Sequence, residues 1–165
     1  MPNTTQIIIR RANCDDYDAI ADVMFNAVRE GHSEYTEEQR QAWVPERRSG
    51  TDWIARLDSQ EIMIAVNANQ VVGFMSLAAK GYIDFAYIRP SAQGTGLFRR
   101  LYESIETLSL QNGLTRLWVH ASLMAQPAFS AMGFAITQKQ VVQIGEESFE
   151  RFEMEKLFDH EKPHR

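Results

Sequence analysis

The chain has 165 residues, 44% of them hydrophobic and 24% charged, with a formal net charge of −5. That length supplies one ordinary domain, burying roughly two-thirds of its unfolded surface, and no apolar run approaches the ~20 residues that a transmembrane helix needs. Acidic and basic residues are interspersed, which excludes the clustered Lys and Arg of a broad nucleic-acid footprint, and the single cysteine, Cys14, cannot form an internal disulfide.

The N-terminus puts its basic residues after a short apolar stretch, the reverse of a signal peptide. With Cys14 in a helical context, these features predict a soluble protein of the cytoplasm with no membrane or nucleic-acid partner. Residues 6–11 read as a short strand. Asp15 or Asp16 then caps a helix in which Ile20, Val23, Met24, Ala27 and Val28 recur at helical spacing until Gly31. Thr36 followed by Gln39 resembles a capping box and opens a second helix ending at Pro45. A short helical turn is predicted over 52–57. The period then changes to that of strands, at 61–66 and 71–77, with a turn at 67–70. A strand at 81–88 closes at Pro90, which has no N–H for a ladder. Helical spacing returns from Thr95 to Gln111 and stops at Asn112-Gly113. A strand at 117–121, a short helix at 126–131 and a closing hairpin around Gly145 complete the order, and 159–165 is predicted to fray. No linker or repeat divides the chain, so one domain is expected, with its core over about 6–157. The order implies an α/β (α+β) fold: one mixed sheet with helices on both faces.

The stretch Tyr82 to Tyr102 is chemically informative. A buried strand runs through Pro90 into a loop holding Gly94 and Gly96, and a helix starts directly after it. Glycines there allow positive φ and close backbone approach. The helix start offers unpaired N–H groups and a positive dipole end, the elements of a phosphate site. The spacing is neither G-x-G-x-x-G nor a Walker loop, and a plain turn is the alternative reading.

Ile88-x-Pro90 followed by Gln93-Gly94-Thr95-Gly96 resembles the acyl-CoA signature of the GNAT superfamily of N-acetyltransferases. Downstream, Ala121-Ser122-x-x-Ala125 and then Phe129-x-x-x-Gly133-Phe134 is similar to that family's second landmark. The order of elements agrees over nearly the whole chain. The resemblance implies a twisted, mostly antiparallel sheet whose central strands, here 82–88 and 117–121, splay apart to admit a pantetheine arm. It implies acetyl-CoA as acyl donor, no metal, and a primary amine of a small molecule or peptide as acceptor; a homodimer is left open. Main-chain groups of Ala86, Tyr87 and Ile88 would lie beside the pantetheine and acyl carbonyl. The N–H groups of Gln93, Gly94, Thr95, Gly96, Leu97 and Phe98 would surround the pyrophosphate, and Ser122 stands where the family often has an Asn. Arg99 and Arg100 are candidates for the 3′-phosphate. Two residues depart from the pattern. Phe98 occupies a Gly or Ala position, and its ring is expected to turn away into the sheet–helix core. Phe129 occupies the position of a Tyr that protonates the leaving thiolate.

Acyl transfer to an amine needs a base, because an alkyl ammonium with pKa near 10 must lose a proton. It needs an acid less, since a thiol pKa near 8.5 already makes a fair leaving group. Asp84 is the first candidate base. Strict alternation puts it on one face with Tyr82, Ala86 and Ile88, and the alternative is a structural Asp paired with an arginine or with backbone. His120, at the end of its strand, is the second. Glu34, Tyr35 and Trp43 are expected to form the amine pocket, against the alternative that the two aromatics only pack helices. A non-catalytic acyl-CoA-binding domain of the same fold, or an unrelated phosphate binder, would leave the same sequence marks.

Overall fold

The computed structural model describes residues 6–158. Strand β1 (Ile8–Arg11) leads into a tight 3-10 turn at Cys14–Asp16. That turn is capped by Asn13: its side chain accepts the Asp15 N–H at 2.8 Å, while the Asp16 carboxylate accepts the Asn13 N–H at 2.8 Å. Asp16 stands at the N-cap position of the helix that follows, as expected, but its side chain gives that helix no capping bond. Asp16 also takes a two-pronged bond from Arg10, 2.9 Å on each arm, and this pairing holds its carboxyl below the usual carboxylate range. Helix α1 (Tyr17–Glu30) follows and stops at Gly31. Helix α2 (Glu37–Trp43) opens with the expected reciprocal box between Thr36 and Gln39. It ends two residues before Pro45, because the residue preceding a proline is pushed out of helical geometry; Val44 has φ −133° and ψ 83°. Arg40 donates to the carbonyls of Val28 and Gly31, both at 2.6 Å, satisfying acceptors at the end of α1.

Helix α3 (Thr51–Asp58) precedes a meander of β2 (Glu61–Asn67), β3 (Gln70–Leu77) and β4 (Tyr82–Ile88). Helix α4 (Leu97–Gln111), strand β5 (Arg116–Ser122), helix α5 (Gln126–Ala131) and the hairpin β6 (Ala135–Ile144) and β7 (Glu147–Leu157) complete the chain. The sheet runs β1-β2-β3-β4-β5-β7-β6, and all neighbours are antiparallel except β4 and β5. One face buries Ile20, Val23 and Met24 of α1 and Trp53 and Leu57 of α3 against Phe74 and Phe85. The other buries Leu97, Leu101 and Ile105 of α4 and Phe129 of α5 against Met75, Leu117 and Val119. Each amphipathic helix hides its apolar stripe on the sheet, which supplies most of a short helix's stability.

Two irregularities position the site. Strands β4 and β5 start pressed together at Gly81, where φ is +79° and a Cβ would sit 2.2 Å from the Arg116 carbonyl oxygen. They pair only at Tyr82–Trp118 and Ile83–Val119 and then part. Each stays paired on its other side, β4 to β3 with one interruption and β5 to β7 along its whole length. The expected splay of the central strands is therefore a gap between two half-sheets.

The second irregularity is a bulge. Leu77 faces Ile83 but Met75 faces Ala86, so β4 carries one residue more than β3. The buried Ser76 hydroxyl accepts the Phe85 N–H at 3.1 Å and fills the interrupted ladder. Alternation fails across a bulge. Asp84 and Phe85 both turn to the α1/α3 face, while Ile83, Ala86 and Ile88 pack with the α4 core. The expected shared face of Asp84 with Ala86 and Ile88 is thus corrected.

Candidate functional site

Past Ile83, the edge of β4 that faces the gap has no strand partner. The N–H groups of Phe85 and Arg89 bond toward β3, to Ser76 and Val72 respectively. Strand geometry gives Tyr87 the same direction and turns the N–H groups of Ala86 and Ile88 into the gap. The chain then rounds Pro90 into the glycine loop. Gly94 and Gly96 have φ of +77° and +80°, and a Cβ on either would project into open space. Gly96 is the N-cap of α4 and supplies no side-chain cap, so the first N–H groups of this 15-residue helix face outward with the positive end of its dipole. Thr95 donates to the Ala92 carbonyl at 2.6 Å, and Gln93 reaches back to the Ile88 carbonyl at 3.1 Å, fixing the loop.

Gap and loop together bound a cavity of about 390 Å³. Ala86, Tyr87, Ile88, Gln93, Gly94, Gly96, Leu97, Phe98 and Ser122, nine of the eleven residues expected to meet the cofactor, line it; Thr95 and Arg99 do not. An extended thiol arm beside a free strand edge, with phosphates at a bare helix start, fits this shape. Arg100 turns one of its donors to the Ile7 carbonyl, at 2.8 Å. The Phe98 ring packs against Phe129, as expected, while the residue still lines the cavity.

A second cavity of about 320 Å³ opens on the other side of the gap and shares Trp43, Ala86, Tyr87, Ser122 and Ala125 with the first. All three candidate catalytic residues, Asp84, His120 and Phe129, line it, as do Tyr35 and Trp43. Glu34 is exposed and does not. Tyr35 is buried: its hydroxyl donates to the Glu150 carbonyl at 2.6 Å and accepts from the Leu123 N–H at 3.1 Å, tying the α1–α2 link to the ends of β5 and β7. That burial pushes its hydroxyl pKa up.

Asp84 is held by three donors. Arg56 grips it with two bonds of 2.8 and 2.9 Å, and Gln60 adds a third at 2.6 Å. Its oxygens are engaged by a cation, the arrangement of a structural aspartate. Phe129 is 1% exposed, and its ring meets both Phe98 and Phe134 edge to face. His120 differs from both. Its Nδ1 lies 3.1 Å from the Tyr82 hydroxyl and its Nε2 lies 3.5 Å from Glu153. A carboxylate only accepts, so the ring proton belongs on Nε2 and Tyr82 donates to Nδ1. Burial, with Arg151 nearby, lowers the His120 pKa more than Glu153 raises it. The imidazole is neutral at pH 7 and ready to take a proton. Burial also raises the Tyr82 pKa, keeping its hydroxyl protonated.

Sequence reasoning missed Tyr82, Glu153, Arg48 and Arg151 at this site. The parallel register of β4 with β5 puts Tyr82 beside Trp118 and His120, and the β5–β7 register sets His120 against Glu153. Neither pairing has a local signal in the chain.

A sequence model for a family described as an acetyltransferase (GNAT) domain matches residues 32–157. The chain is 28% identical over 149 residues, covering 90% of itself and 94% of its relative, to YafP of Escherichia coli K12, named an uncharacterized N-acetyltransferase. It superposes on a GCN5-related N-acetyltransferase from Rhodopseudomonas palustris with a TM-score of 0.86, at 26% identity and with 96% and 98% of the two chains covered. The fold is also that of the PaiA N-acetyltransferase of Thermoplasma acidophilum, solved in complex with coenzyme A, at a TM-score of 0.70 and 17% identity over 92% and 99% of the chains.

Proposed function

The chain belongs to the GNAT superfamily of acetyltransferases, and on that premise we propose that it moves an acetyl group from acetyl-CoA to the primary amine of a small molecule or peptide in a ternary complex. The observation that carries this reading is the meeting of two cavities, one at a bare helix start and one beside a neutral histidine, across the free edge of β4. Bound acetyl-CoA would supply the thioester carbon that the amine attacks and the thiolate that departs.

The loop N–H groups from Gly94 to Phe98 hold the pyrophosphate, and the N–H groups of Ala86 and Ile88 face the oxygen on which charge develops. His120 is the base. An amine proton passes to the Tyr82 oxygen as the Tyr82 proton passes to His120 Nδ1, and Glu153 balances the imidazolium so formed. Asp84 fixes Arg56 and with it the far wall of the acceptor cavity. Phe129 forms apolar wall and supplies no proton, so the thiolate leaves without an acid at that position. The exposed lone Cys14 suits the reducing cytoplasm, and no described helix is long and apolar enough to cross a membrane.

Release of free thiol from acetyl-CoA in the presence of a panel of primary amines tests the proposal. Acetylated product formed in proportion to thiol is the expected result. A folded protein that binds coenzyme A tightly yet acetylates no amine would instead support an acyl-CoA-binding domain, the reading that Phe129 favours.

A further inference from the structure

The second cavity holds more positive charge than an amine site needs. Three arginines line it, Arg48 from the α2–α3 link, Arg56 from α3 and Arg151 from β7. The one carboxylate on its wall, Asp84, is consumed by Arg56. Neither Arg48 nor Arg151 has a carboxylate within salt-bridge distance among the described residues. Arg48 spends one donor on the Trp43 carbonyl at 3.1 Å, and its Nε is buried with no partner. Arg151 gives one bond to Gln140 at 2.8 Å. A buried guanidinium donor without an acceptor is costly, and two guanidinium groups at one cavity, neither with a carboxylate partner and each with donors to spare, are arranged for an anion. The carboxylate expected to greet a cation, Glu34, lies outside the cavity.

We propose that the acceptor is an amine that also carries a carboxylate, an amino-acid-like molecule whose acid group is bound by Arg48 and Arg151 while its amine faces Tyr82 and His120. The inference rests on the acyl-transfer reading above and names its substrate class. The aromatic walls, Trp43, Tyr87 and Phe149 among them, suit an apolar side chain on that molecule. The same charges act against polyamines, which bring further positive charge to a site already holding two cations without a carboxylate partner.

Initial rates of thiol release on the full chain, with matched pairs of amino acids and their carboxamides and with spermidine, test this directly. The acid of a pair should exceed its amide by about 10- to 100-fold in kcat/KM, carried mostly by KM, as expected for loss of a charge-assisted bond. Arg48→Gln and Arg151→Gln should each pull that ratio toward one, and Arg151→Lys should restore part of it. Melting curves report whether each variant folds; because Arg48 also braces α2, Arg151→Gln is the deciding variant if Arg48→Gln unfolds. Amides or spermidine used better than amino acids, or an acid preference that survives in folded variants at both positions, would overturn the proposal while leaving acyl transfer standing. A protein that binds coenzyme A and acetylates nothing would overturn both.

Discussion

The rings of Phe98 and Phe129 meet edge to face, their centroids 5.0 Å apart and their planes at 85°. These are the two residues at which the chain leaves the GNAT pattern, and they are each other's neighbours. The position usually kept small at the start of α4 and the position usually given a hydroxyl on α5 are filled here by one aromatic contact. Such pairs contribute about 0.5–1.5 kcal/mol beyond their buried area.

Phe129→Tyr should therefore destabilise. The new hydroxyl would enter a core position that is 1% exposed and walled by Phe98 and Phe134, at a cost of about 1–3 kcal/mol. Melting temperature and turnover measured on the same variant check it. Unchanged stability together with faster turnover would mean that the ring tip reaches the sulfur.

Gly96→Asp should weaken coenzyme A binding at least about tenfold with the fold retained. The substitution forces a side chain into φ +80° and sets a carboxylate at the bare start of α4, where it would repel phosphate. Calorimetry on the folded variant measures the change, and an unaltered affinity would remove the loop from the cofactor site.

His120→Gln should lower kcat by about 10²–10⁴, and Tyr82→Phe should follow it if the proton passes through the hydroxyl. In the wild type, burial holds the His120 pKa below its usual value. The base is therefore already neutral at pH 7. With rates expressed against free amine, activity should stay flat from neutrality down past about 6.5, the ordinary histidine value, and fall only as pH drops through the lowered pKa. An acid limb at or above the ordinary value, or one that persists in His120→Gln, would point to a different base.

Asp84→Asn should act on stability more than on chemistry. It replaces a carboxylate that accepts three bonds with an amide that keeps one oxygen, leaving part of the Arg56 grip unmade. Arg56 is half exposed, so the loss is about 1–2 kcal/mol. Denaturant titration and steady-state rates separate the effects. A fall in kcat of about 10²–10⁴ with stability intact would restore Asp84 as the base.

Much of the fold was legible because its signals are local. Thr36 and Gln39 announce the start of α2 by a side chain that reaches only three residues, and the change from helical to strand spacing near Glu61 marks the meander. The glycine loop and the helix after it were readable for the same reason. Asn13 escaped because Asp15 and Asp16 offer the same capping chemistry two residues on; the bonds from Arg10 and from the Asn13 N–H commit the Asp16 carboxylate to the turn before the helix.

By itself, the sequence determined the order of elements, the family, and a glycine loop that opens onto a helix start, all of which follow from residues close together in the chain. The tertiary structure alone decided which polar groups share the acceptor cavity. The bulge at Asp84 and Phe85 cancels the alternation that assigned Asp84 its face, and the hydroxyl that accepts its free N–H, that of Ser76, sits on another strand. His120 acquires Tyr82 across a parallel pairing and Glu153 across an antiparallel one, and Arg48 and Arg151 reach one cavity from positions a hundred residues apart in the chain. Register between strands is fixed by packing over the whole sheet, so the charges and bases that it gathers have no signature in any short stretch of sequence.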